Sequence, residues 1–313
     1  MSPIPKVELP PGVVLLDGGM GQELRHRGLP EHPLWSAHAL MITPQKVMAV
    51  HLDYIAAGAR IITTNSYATT RGRLEAAGAG DRFEELNRTA GELAGWARED
   101  SGRQVLIAGS LPPLAGSYRP DRVGAFAEIE PLYREQAEIL APFVDLFLCE
   151  TMGSGAEARA AAAGAAATGK PVWVAWTLED GGSRRLRSGE TIAEAAAQLE
   201  DLPVGGFLAN CCAPESITAA MPELAALAAA RGTDAVGGYA NGFAGVPDDW
   251  DIVKTGVSAL GRRHDLDAEA YAAHAAEWIA AGAKVVGGCC EIGPAHIARL
   301  GRFVSSEGPG GRH

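Results

Sequence analysis

The chain has 313 residues, 47% of them hydrophobic, and its 27 basic and 38 acidic residues leave a net charge of −11. That is enough apolar material for a large core, and the length fits either two small domains or one α/β barrel. An acidic chain without Lys/Arg clusters is a poor match for nucleic-acid phosphates or anionic membranes, and no run of about 18 apolar residues offers a membrane span.

Short apolar or β-branched runs alternate with longer Ala/Leu/Glu-rich stretches along the whole chain. The pattern predicts strands over 13–17, 60–64, 104–109, 146–150, 171–176, 205–209, 235–239 and 284–287. It predicts helices over 44–57, 82–99, 131–141, 155–168, 192–199, 214–230, 267–281 and 294–304. Strands that read as near-continuous apolar runs, each followed by a helix, imply parallel pairing buried on both faces. Eight such units in about 300 residues imply an α/β fold, a closed (β/α)8 TIM barrel over 1–306, with a disordered tail over 307–313. The competing doubly wound sheet would carry a Gly-rich phosphate loop early, and Asp17-Gly18-Gly19-Met20-Gly21 lacks the GxGxxG spacing. Gly/Ser/Pro-rich insertions over 110–122, 180–189 and 241–265 follow the third, fifth and seventh strands. In a barrel all three lie on the catalytic face, as a lid or collar over a small-molecule pocket. Residues 1–11 lack the basic start and apolar stretch of a signal peptide, so a cytoplasmic location is expected.

Thiols carry the most specific signal. Cys211-Cys212 follows Asn210 at the end of the sixth predicted strand, and Gly287-Gly288-Cys289-Cys290 ends the eighth. Strands six and eight of a barrel have one neighbour between them, so thiols at their tips can share one ion. Three thiolates hold zinc tightly and leave a fourth tetrahedral position open, where a substrate sulfur can be held. Two successive side chains on a strand point to opposite faces, so Cys289 and Cys290 need a sharp turn to reach one ion, and the two glycines are expected to permit it. Either Cys211 or Cys212 suits the third place, and Cys149, among apolar neighbours, reads as packing. The histidines show no HxH or HExxH arrangement. Other strand-end residues are Asp17, Thr63, Glu150, Tyr239 and Asn241. Asp17 suits helix capping as well as a site, whereas a carboxylate ending an apolar strand, as at Glu150, needs a partner such as a ligand ammonium.

Leu16-Asp17-Gly18-Gly19-Met20, Thr63-Thr64-Asn65-Ser66-Tyr67, Cys149-Glu150-Thr151, Asn210-Cys211 and Gly287-Gly288-Cys289-Cys290 together resemble the motifs of the homocysteine S-methyltransferase family. The resemblance covers nearly the whole chain. It implies a (β/α)8 barrel holding one Zn2+ through Cys211, Cys289 and Cys290, with Cys211 chosen over Cys212 by the Asn-Cys motif. It also implies that Asp17, Gly18, Thr63, Glu150 and Asn210 surround homocysteine, with Glu150 on its ammonium. Pro33-Leu34-Trp35-Ser36 looks nearer to users of S-methylmethionine, while Gly238-Tyr239-Ala240-Asn241 stands in place of a Tyr-Pro-Asn pattern. Since the barrel consumes the chain, a free methylated onium compound is the expected donor: S-methylmethionine, S-adenosylmethionine or betaine. Trp35, Tyr67, Tyr239 and Asn241 are the expected donor contacts, because aromatic faces attract cations. A zinc hydrolase or a metal store on the same barrel, a selenol acceptor, and assembly as a homo-oligomer stay open at this point.

Overall fold

The computed structural model describes residues 4–233, 235–247, 250 and 255–307. Its centre is one eight-stranded parallel sheet in the order β1-β8-β7-β6-β5-β4-β3-β2. The strands are β1 (Val14–Leu15), β2 (Ile61–Thr63), β3 (Leu106–Leu111), β4 (Leu146–Met152), β5 (Val172–Trp176), β6 (Val204–Asn210), β7 (Ala235–Tyr239) and β8 (Val285–Val286). The two ends of the sheet meet through a parallel bridge between Leu16 and Ile61. Asp17 N donates to Ile61 O (3.0 Å) and Arg60 N to Leu15 O (2.8 Å) across the same seam. The predicted (β/α)8 TIM barrel is the observed fold.

Period-two alternation sorts the strand residues. Val14, Leu16, Ile61, Leu146, Leu148, Leu208, Ala235 and Val285 fill the barrel interior, with Val7 and Leu9 packed against them. Leu15, Ile62, Phe147, Cys149, Phe207 and Ala209 instead face the helix layer. Carried forward along β4, this alternation sends Glu150 inward with Leu146 and Leu148. Cys149 is buried in the helix-facing core, as its apolar neighbours imply.

Most helices match their sequence pattern within a few residues. The helix Pro44–Ala57 begins at its proline and ends at Gly58, whose φ of 113° gives the left-handed stop that glycine tolerates best. The helix at residue 131 is one departure: it runs Phe126–Leu140, so Pro131 lies inside rather than at the start. Pro131 is the sixth residue of that helix, just beyond the first turn, where proline is best tolerated, so a start signal read from it lands too late. The short helices Met20–His26, Ala37–Ile42 and Arg71–Ala76 were not predicted, being too brief for a clear 3.6-residue period. The tail expected over 307–313 lies outside the described residues, except for Glu307, which ends the helix Pro294–Glu307. Part of the 241–265 insertion is outside them too. Among the described residues no helix is long and apolar enough to cross a membrane.

Candidate functional site

The C-terminal ends of the strands enclose a cavity of about 850 Å3, counting its open mouth. Asp17, Gly18, Trp35, Thr63, Tyr67, Glu150, Cys211, Tyr239, Cys289 and Cys290 all line it. Asn210 and Asn241 are not among the lining residues. Asn210 lies behind the wall, accepting from Thr151 N (2.8 Å) and donating to Thr151 Oγ1 (3.0 Å).

Three thiols converge on one side. The Sγ atoms of Cys211, Cys289 and Cys290 all lie within 4.8 Å of one another. Cys211 follows β6 and takes φ of 51°, a left-handed conformation that breaks the strand alternation. Its neighbour Cys212 belongs to the helix-facing core, where burial pushes its thiol up to about 12. The turn that brings Cys289 and Cys290 together is not made by the glycines before them: neither Gly287 nor Gly288 has a positive φ, and the left-handed residue is Glu291, at 66°. Gly288 is needed for close approach instead, since a Cβ there would meet Ile292 Cγ2 at 2.2 Å. The expectation of a glycine hinge is corrected accordingly.

The three thiols perturb one another's ionisation. The neighbouring thiols of Cys289 and Cys290, then the Tyr118 hydroxyl, hold Cys211 well below the usual thiol range against the opposing effect of burial. The same proximity to Cys211 pushes Cys289 and Cys290 up. Tyr118 OH lies 2.9 Å from Cys211 Sγ, the Trp250 ring meets the Tyr118 ring edge-on at 5.6 Å, and the Arg187 guanidinium sits 5.0 Å from the Tyr118 ring centroid. Arg187 in turn bonds Asp180 Oδ2 at 3.1 Å. Tyr118 was not singled out from the sequence. The only signal was its place in the 110–122 insertion, which marks a collar without saying which residue touches the thiols.

Two carboxyls occupy the other side. Asp17 accepts from Thr63 N (2.8 Å) and Thr63 Oγ1 (3.1 Å), so it braces β1 against β2 and does not cap the helix Met20–His26. Burial pushes its carboxyl up to about 8, opposed by the Thr63 backbone bond. Glu150 accepts from Ser110 Oγ and from Tyr239 OH (3.1 Å), and burial raises it to about 7. Ser110 was likewise missed. Tyr67 pairs with Ser117 (2.8 Å), and the Arg25 guanidinium stands 5.9 Å from the Trp35 ring centroid. Phe243, Trp250 and Val257 supply an apolar cover.

Charge and shape together describe what the cavity can take. Its described lining residues include two buried carboxyls, three thiols and six aromatic side chains, with no Lys or Arg among them. Such a cavity favours a small cation that presents a soft sulfur to one wall and an ammonium to the other. The donor set is all sulfur, which selects a soft or borderline cation over Mg2+ or Ca2+. Tetrahedral zinc with bonds of 2.3 Å needs sulfurs about 3.8 Å apart, so the trio fits such an ion with little movement.

Known proteins point the same way. The homocysteine S-methyltransferase family profile matches residues 14–304. The chain is 32% identical to homocysteine S-methyltransferase of Escherichia coli (strain K12), over 92% of this chain and 94% of that one. It is 30% identical to selenocysteine methyltransferase of Astragalus bisulcatus, over 93% and 92% respectively. The metallated form of the homocysteine methyltransferase MmuM from Escherichia coli superimposes with a TM-score of 0.77 at 30% identity, covering 93% of this chain and 96% of its own. The chain belongs to the homocysteine S-methyltransferase family.

Proposed function

We propose that this protein transfers a methyl group from a small sulfonium donor, S-methylmethionine or S-adenosylmethionine, to the thiol of homocysteine held at a zinc ion, giving methionine. The observation that carries the reading is the convergence of Cys211, Cys289 and Cys290 across one cavity from Asp17 and Glu150. Zinc, when bound by the three cysteines, supplies the positive charge that strips the proton from a thiol at neutral pH.

The residues of the chain do the rest. Glu150 takes the homocysteine ammonium, and Asp17 and Thr63 flank the amino-acid end, with Gly18 leaving room beside them. Both carboxyls are held partly protonated by burial, so an incoming ammonium gains by completing their ionisation. Tyr239 and Ser110 aim the Glu150 carboxylate. Asn210 acts through Thr151, the residue after Glu150, which is itself left-handed at φ of 60°. Trp35, Tyr67 and Tyr239 present aromatic faces to the donor cation, and Asn241 braces the segment after β7 by accepting from Phe243 N (3.2 Å). The homocysteine sulfur then attacks the donor methyl carbon in line, a carbon–sulfur bond forms as the donor's breaks, and the departing pair leaves on a neutral thioether. No general acid is required, because the donor loses its positive charge in the step. Orientation by the two walls and exclusion of water by Phe243, Trp250 and Val257 therefore carry the acceleration, and good positioning is worth on the order of 7 kcal/mol or more.

A selenol acceptor is the second reading, supported by the likeness to the Astragalus bisulcatus enzyme. The test is a panel of sulfonium and ammonium donors offered with homocysteine or selenocysteine, with methylated product read by mass and metal content measured alongside. Methionine formed only with a sulfonium donor and with about one zinc per chain is expected. Turnover without any thiol or selenol, or full activity in zinc-free protein, would overturn the proposal.

A further inference from the structure

The turn carrying two of the three thiols is built on an unusual residue. Ile292 N donates to Cys289 O (3.1 Å), closing a four-residue turn in which Glu291 is third. With φ of 66°, that position normally takes glycine or asparagine, and a larger side chain persists there only where its surroundings dictate the conformation. Glu291 has such surroundings. Its side chain is only 10% exposed; Oε1 accepts from Gln22 Nε2 of the helix Met20–His26. Oε2 lies 3.5 Å from Arg262 Nε and 3.8 Å from His26 Nε2. The same segment is pinned through its backbone: Cys289 N donates to Ala240 O (2.9 Å), Gly242 N to Cys290 O (2.8 Å) and Gly19 N to Ile292 O (3.0 Å).

We infer that Glu291 is a positioning residue for the metal centre: through Gln22 and Arg262 its carboxylate holds the turn in which Cys289 and Cys290 both face Cys211. It touches neither substrate nor metal, and the inference rests on the zinc-site reading of the preceding section. The first helix is thereby tied to thiols 267–268 residues away from Gln22 in sequence, so the helix entry and the ligand turn form one unit.

Glycine at 291 separates side-chain anchoring from backbone geometry, because it suits the left-handed φ while removing the carboxylate. Zinc affinity of the full chain is measured by competition with a chromogenic chelator for wild type, Glu291→Gly, Gln22→Leu and the double variant. Amide hydrogen exchange at Gly242 and Ile292 is followed in the metal-free proteins. The expected result is a loss of about 10-fold or more in zinc affinity for E291G, in the range that groups supporting metal ligands contribute. A smaller loss is expected for Q22L, with a double variant no weaker than E291G and faster exchange at both amides. E291G that binds zinc as tightly as wild type, or that leaves both amides exchanging at the wild-type rate, overturns the inference. So does Q22L without effect on either readout. Should the wild-type chain bind no zinc, the functional reading fails, while the exchange data still decide the role of Glu291.

Discussion

On the β1–β2–β4 side of the mouth, Asp17 and Glu150 are buried with their donors already in place: Thr63 for one, Ser110 and Tyr239 for the other. On the β6–β8 side, the Sγ atoms of Cys211, Cys289 and Cys290 lie within 4.8 Å of one another, with Tyr118 OH 2.9 Å from Cys211. The first wall is organised before any ligand arrives, since a buried carboxyl left without donors would cost several kcal/mol. The second is left with thiol protons that a divalent cation would displace. One side is therefore set by hydrogen bonds already in place, and the other is the side that a bound cation would complete.

The comparison predicts different failures for the two walls. The largest effect is expected from Cys290→Ser: zinc affinity drops by at least about 100-fold, beyond what supporting groups contribute, and methionine formation falls to background. Retention of both in a chelator competition and a product assay would break the thiol-wall reading outright. Next comes Glu150→Gln. It should bind zinc normally while kcat/KM for homocysteine falls about 10- to 100-fold, the cost of replacing a charged hydrogen-bond partner, at about 1.4 kcal/mol per factor of ten. A loss of metal in this variant would show that the walls are not separable. Tyr118→Phe reverses that signature, with zinc affinity down by about 10-fold and KM for homocysteine little changed.

The smallest effect on turnover is expected at Glu157, a buried carboxyl that accepts from Leu114 N (3.1 Å) and Tyr133 OH (3.2 Å) and does not line the cavity. Burial raises it to about 7 from an ordinary 4.5. Between those values the folded chain keeps a proton that the unfolded chain has released, so this contribution to stability is complete below about 4.5, declines as pH rises to about 7, and is level above. The span corresponds to roughly 3 kcal/mol at most. Glu157→Gln, which cannot ionise, should flatten that part of the pH profile in denaturant melts and leave turnover unaltered; an unchanged slope would show that the Glu157 carboxyl stays ionised in the fold.

Much of the architecture was legible in the residues. Parallel strands buried on both faces must be apolar throughout, so their runs and the helices between them stand out, and the eight-fold alternation leads to one barrel. Residues at strand ends follow directly, which is why Asp17, Thr63, Glu150 and the Cys289-Cys290 pair could be placed before any coordinates, while the choice of Cys211 over Cys212 came from the family resemblance. The short helices after β1 and β2 could not be, for want of enough turns to show a period.

Three things were decided only by the tertiary structure. Tyr118 reaches the site from a loop, and loop side chains have no periodicity to reveal which way they point, while Ser110 lies on β3 one residue past the predicted strand end. Cys212 turns to the helix layer because Cys211 takes a left-handed backbone, a choice made by hydrogen bonds with β7 rather than by the dipeptide. The ligand turn depends on Glu291 and not on the glycines, because the conformation there is imposed by Gln22 and Arg262 from distant parts of the chain. Alternation along a strand is a local property and can be read from one segment at a time. Convergence at the mouth depends on which segments the barrel brings side by side.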